Sequence, residues 1–131
     1  MSNIDRTQMG LDALKIIGRN VSPTDGYFLE NTQDAMTALA GGGQTGATQI
    51  TAQMSRFTTV ATAADSGKLP PAIPGLQITV TNASAASMNL YPFLGDAINA
   101  LGANAAFALA TVKTAIFTCY VAGQWHSLLS A

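Results

Sequence analysis

The chain has 131 residues, 6 Lys or Arg against 7 Asp or Glu, and a formal net charge of −1. That length holds one domain with a real core, and the charge balance excludes the basic field that nucleic-acid binding requires. Charged residues are only 10% of the chain, against about 25% in an ordinary soluble domain. Gly, Asn, Ser and Thr break every apolar run before the ~18–20 residues a spanning helix needs, so no membrane span is expected.

The placement of charge says more than its total. Residues 1–34 carry Asp5, Arg6, Asp12, Lys15, Arg19, Asp25, Glu30 and Asp34, whereas from Leu69 onward only Asp96 and Lys113 are fully charged. A monomer keeps soluble with mixed surface charge, so a half-chain nearly without it predicts surface covered by copies of itself or by another protein. The opening MSNIDRTQMG lacks the charged-then-apolar layout of a signal peptide. A single cysteine, Cys119, forbids an intrachain disulfide and suits synthesis in a reducing compartment.

In chain order, IDRTQMGLDALKIIGRN sets Ile4, Leu11, Leu14 and Ile17 near one helical face, with Gly18 and Asn20 as stop signals. After the turn-like SPTDG comes YFL. In NTQDAMTALA, Asn31 can cap a short helix with Asp34 near its positive end. An extended arm that orders on a partner fits the same residues, and the two readings stand side by side. GGGQTG (41–46) reads as a joint, since its glycines hold neither a helix nor a central strand.

Beyond it, short Thr/Val/Ile/Phe runs alternate with turn residues, the grammar of an all-β sandwich or barrel. RFTTVAT (56–62) is a strand, AADSGK a polar turn, and the three prolines of LPPAIPG exclude helix and central strand. LQITVT (76–81) points Leu76, Ile78 and Val80 one way and Gln77, Thr79 and Thr81 the other. NAS turns into SMNLYP with Met88 and Leu90 inward, and FLGDAINALG reads as a loop. Phe107 and Leu109 mark a strand, TVK turns, TAIFTCYVAG (114–123) is a strand, and the closing strand sends Trp125 and His126 to opposite faces.

No catalytic or metal site is predicted. His126, the only histidine, lacks the companions of a zinc site, and no serine sits in a GxSxG elbow. GGGQTG lacks the Lys-Ser/Thr of a phosphate loop. Asp65, Asp96 and Asn99 have the oxygen chemistry of cation ligands but read as turn formers. Cys119 in IFTCYV reads as a buried small hydrophobe. No cofactor is expected.

The succession from FTTVATAADSGK to the C-terminus resembles small β-domains of tailed-bacteriophage virion proteins. The carrying pieces are TVTNAS…MNLYP, GDAIN.LG, F.L…KTA.F and a closing G.W..L, covering residues 56–131. The sequence departs from that pattern at AFALATVKTA, where a glycine is expected and Thr111-Val112 stands. Such domains occur in capsid decoration (cement) proteins and in head or tail fibre subunits. The resemblance implies a multimeric, often trimeric, structural domain exposed on a phage particle, with no catalytic residues.

The resulting expectation is an N-terminal anchoring arm (1–43), open to short helices, followed by an all-β sandwich or jelly-roll-like domain (44–131). The expected function is a non-enzymatic cement protein on the capsid surface, made in the host cytoplasm. Its expected partners are the major capsid protein and itself, as a homotrimer, with neither nucleic acid nor membrane. Ile4, Leu11, Ile16, Ile17, Tyr27 and Phe28 are the candidates for capsid contact. Phe57, Tyr91, Phe93, Phe107 and Trp125 are the candidates for the oligomer interface. The alternatives are a head- or tail-fibre subunit that meets a host receptor or glycan, and a carbohydrate-binding module, against which the low aromatic content (7%) weighs.

Overall fold

The computed structural model describes residues 31–131 and, before them, 20, 21, 28 and 29. The expected helix over residues 4–17 lies outside the described residues. The chain divides into two compact units, Met1–Asn31 and Thr32–Ala131. In the first, β1 (Asn20–Val21) and β2 (Phe28–Leu29) form a short antiparallel pair.

The second unit is all β, with no helix among the described residues. From Thr32 the chain alternates between two sheets. β3 (Thr32–Thr37), β5 (Met54–Thr59) and β7 (Gln77–Asn82) lie parallel in one, and β4 (Thr48–Gln49), β6 (Ser66–Lys68) and β8 (Met88–Tyr91) lie parallel in the other. Each coil adds one strand to each sheet, so Thr32, Met54 and Thr79 stand side by side, as do Thr48, Gly67 and Leu90. The stacking is that of a β-solenoid.

After β8 the mode changes. β9 (Ala97–Ile98) leads to β10 (Phe107–Leu109), antiparallel to β8, and β11 (Lys113–Val121) runs antiparallel to β7 and turns into β12 (Gln124–Leu129). β9 pairs parallel with β12, giving sheet orders β3-β5-β7-β11-β12-β9 and β10-β8-β6-β4.

The sheets face each other over one core. Phe57, Val80, Phe117 and Trp125 enter from the larger sheet and Met88, Leu90 and Leu109 from the smaller, all fully buried. Across the gap the Phe107 and Phe117 rings meet edge to face at 5.3 Å. Gly67 has no room for a side chain: a Cβ there would lie 2.8 Å from the Phe57 ring and 3.2 Å from Leu90. The missing side chain lets β6 approach β5 closely enough for Phe57 to fill the gap.

The alternation seen in the sequence is realised: Ile78, Val80, Met88 and Leu90 are buried, and Trp125 is buried while His126 is exposed. Three expectations are corrected. NTQDAMTALA is not a helix; β3 takes it, because Met36 and Ala38 reach the core and Thr32, Gln33 and Thr37 pair with β5, a tertiary gain that outweighs a local cap. AADSGK and FLGDAINALG are not wholly turn and loop, since they contain β6 and β9, strands too short to show a period.

The glycine run is not a free joint. Buried Asp65 accepts from Gly41 N–H (3.1 Å) and Thr62 N–H (3.0 Å), Ser66 Oγ donates to Gly43 O (2.7 Å), and Leu39 and Ser66 exchange backbone bonds. Gly42, at φ +70, brings its backbone so near Ala64 O that a Cβ would sit 2.5 Å away. In the NAS turn, buried Asn82 uses its whole amide: Nδ2 donates to Ala86 O and Leu109 O, and Oδ1 accepts from Ser84 N–H and Oγ–H.

Val112 stands at φ +58 in the turn before β11, left-handed backbone that a β-branched residue disfavours. A glycine is expected from the sequence in this turn, where Thr111-Val112 stands.

Two substitutions test these constraints by thermal unfolding. Gly67→Ala drives a methyl into the Phe57 ring and is expected to cost about 1–3 kcal/mol, lowering Tm by roughly 5–15 °C. Val112→Gly relieves left-handed strain at an exposed site and is expected to raise stability by about 1 kcal/mol.

Candidate functional site

The outward face of the larger sheet is built from the positions that alternate with the core. β7 presents Gln77, Thr79 and Thr81; β11 presents Thr114, Ile116, Thr118 and Tyr120; β12 presents His126 and Leu128. Register aligns them in rows: Thr32, Met54, Thr79, Ile116 and Leu128 in one, Gln77, Thr118 and His126 in the next, and Arg56, Thr81 and Thr114 in a third. The Thr81 and Thr114 hydroxyls bond across the strands at 2.8 Å.

Two shallow depressions of about 310 Å³ each lie on this face. One is floored by Met54, Thr79 and Thr81 and flanked by Asp34 and Arg56. The other lies among Ile116, Thr118, Tyr120, His126 and Leu128. Tyr120 (71% exposed) and Leu128 (69%) stand in the open, and the Tyr120 ring tilts over His126 at 5.8 Å.

Asp34 and Arg56 form a bidentate pair, with Nε to Oδ1 at 2.6 Å and Nη2 to Oδ2 at 2.8 Å. The guanidinium hydrogen bond, helped by Ala35 N–H, lowers the Asp34 carboxyl from its ordinary 3.8 to about 2. Both side chains are more than half exposed, so solvent screening keeps the pair's worth small. Its interest is as a neutralised double charge at the edge of the face.

Of the oligomer candidates, Phe57 and Trp125 are corrected to core residues. Both point into the core, and the second sheet rather than a second copy covers them. Phe107 is half-buried against Phe117, and Tyr91 is half-buried on β8. Phe93 keeps an exposed side (37%), with Lys68 Nζ 5.6 Å above its ring. These two and Gln44 border a third hollow, of about 190 Å³. Of the capsid-contact candidates, Ile4, Leu11, Ile16, Ile17 and Tyr27 lie outside the described residues, and Phe28 is in β2.

The remaining chemistry-bearing groups act as fasteners. Asp96 Oδ2 accepts from Ala72 N–H, and Asn99 bonds Ser127 through both ends of its amide. Burial pushes the Cys119 thiol up, away from the reactive thiolate, and its Sγ donates to Val121 O. Among the described residues no three His, Cys, Asp or Glu side chains gather as metal ligands. The face carries hydroxyls that both donate and accept, with apolar Met54, Ile116 and Leu128 among them.

Ile116, Tyr120 and Leu128 were not among the sequence candidates. The signal was present, since alternation puts Ile116 and Tyr120 opposite Phe117 and Cys119. The clustering of these three at neighbouring outward positions sets this face apart from singly scattered apolar residues, which are ordinary on a surface.

The ion pair gives a pH prediction. Because folding lowers the Asp34 pKa, its contribution to stability is present above its ordinary 3.8 and is lost as pH falls from there through about 2. In Arg56→Gln, NMR titration of the Asp34 carboxyl carbon is expected to show a midpoint moved back up toward 3.8.

No family model, curated protein or solved structure matches the chain.

Proposed function

We propose that this chain is a non-enzymatic structural protein of a tailed-phage virion that decorates and stabilises the capsid. In this reading it is made in the host cytoplasm and sits on the capsid surface as a homo-oligomer, with three copies the expected number. The major capsid protein is its partner, and the part of the expected 1–43 arm that precedes Thr32 supplies the anchor, since β3 and the glycine run belong to the body. In this reading the two facing sheets, wound by solenoid coils, take the role expected of the sandwich or jelly-roll domain.

The observation that carries the reading is how little charge the body shows. Between Thr32 and Ala131 the charged side chains are Asp34, Arg56, Asp65, Lys68, Asp96 and Lys113. Asp65 is buried, and Asp34 and Arg56 neutralise each other. Leu94, Val112, Tyr120, Val121 and Leu128 stand exposed on the same unit. Such a surface suits a protein that works covered. Cement function needs no more chemistry than this, because buried apolar area and repeated weak contacts add up over many copies.

A second reading, a fibre subunit that meets a receptor or glycan, is favoured by the hollow at Phe93, Lys68 and Gln44, where a ring face, a cation and an amide converge.

The test is the amount of this chain in purified particles of the phage that encodes it, set against the major capsid protein. A copy number comparable with the capsid protein is expected. A small fraction of it would favour the fibre, and absence would overturn the virion reading. Alanine at Ile4, Leu11, Ile16 and Ile17 together is expected to abolish capsid binding while the oligomer persists.

A further inference from the structure

We infer that the outward face of the larger sheet, centred on Ile116, Tyr120 and Leu128, is the surface by which one copy of this chain packs against another. This rests on the self-association in the reading above; because a face that packs on its own copy closes a two-fold pair, it predicts two copies, or an even number, in place of three.

The argument begins with size. Five strands, β3, β5, β7, β11 and β12, spaced by ~4.8 Å, make a face ~24 Å wide, and six residues at ~3.3 Å make it ~20 Å long. Each copy thus offers about 480 Å², and two together come to about 960 Å², at the lower limit of a specific interface and in the range of a weak, reversible one. Stacked sheets sit ~10 Å apart and interdigitate side chains without opening the backbone.

Chemistry then selects the occupant. The rows through Ile116 and Thr118 carry no fully charged side chain, so neither a strongly acidic nor a strongly basic partner is drawn to them. A threonine hydroxyl both donates and accepts, so a face rich in Thr79, Thr81, Thr114 and Thr118 is its own hydrogen-bonding complement. The flanking Asp34–Arg56 pair is likewise its own electrostatic complement, since either member can turn to its opposite on a second copy. Apolar Met54, Ile116 and Leu128 with Tyr120 supply the desolvated centre, and the ion pair belongs to the polar rim.

The test is sedimentation of the full chain, free of any particle. The wild type is expected to run as an even-numbered oligomer, a dimer at its simplest. Leu128→Asp and Tyr120→Asp put a carboxylate into the proposed interface and are expected to weaken association by about tenfold or more. Because both sites are exposed, circular dichroism and the melting curve of the separated subunits should stay unchanged. Leu94→Asp, equally exposed but on the loop after β8, is the control and should leave association intact. Two results overturn the inference: a monomeric wild type, including one in which Leu128→Asp lowers Tm because another part of the same chain covers the face, and an oligomer that survives both aspartates. Failure here leaves the decoration reading standing, and absence from particles leaves this face standing.

Discussion

The fold depends on one close approach, the Phe57 ring lying over Gly67. Two sheets of solenoid coils need a separation that a single layer of side chains can fill, and the ring provides that layer where β5 and β6 face each other. Met88 and Leu90 pack at the same spot from β8, so the contact joins successive coils as well as opposite sheets. Interiors are packed as tightly as organic crystals, and a single added methyl is felt there. Consequently the core beneath the larger sheet supports the register in which its outer rows of Thr, Ile and Leu stand.

Much of the body could be read from the chain because period-2 alternation is strong wherever one face is buried. LQITVT separated its two faces, SMNLYP showed Met88 and Leu90 inward, Cys119 in IFTCYV read as buried, and the opposite faces of Trp125 and His126 followed directly. What could not be read was which strands are neighbours. β4 and β6 are two and three residues long, β9 only two, and in β3 a bulge near Ala35 (φ 54) interrupts the alternation. The coil repeat was hidden for the same reason. TQ, GK and LY occupy equivalent places at 48–49, 67–68 and 90–91, yet they share no residue type.

The site was harder to read than the fold. Aromatic content drew attention to Phe57 and Trp125, the largest side chains in reach, and both serve the core. Burial and interface both favour aromatics, so residue type alone could not separate them; the second sheet did. Val112 is the opposite case. Its turn was singled out as lacking an expected glycine, and its backbone does adopt the conformation glycine prefers.

The ends of the sheets explain why a face, rather than an edge, is the surface proposed for association. Solenoid coils invite edge-to-edge growth, because parallel strands can be added without limit. In this body β4, β9 and β10, three of the four edge strands, have only two or three residues, too few to template another chain. The fourth, β3, is long, but it carries the charge of Asp34 and a bulge at Ala35, and both devices blunt an edge. The antiparallel turn of β10, β11 and β12 ends the coil sequence at the other side. With its edges protected and its charges few, the body has its faces left for contact. The widest of them is the one that carries Ile116, Tyr120 and Leu128.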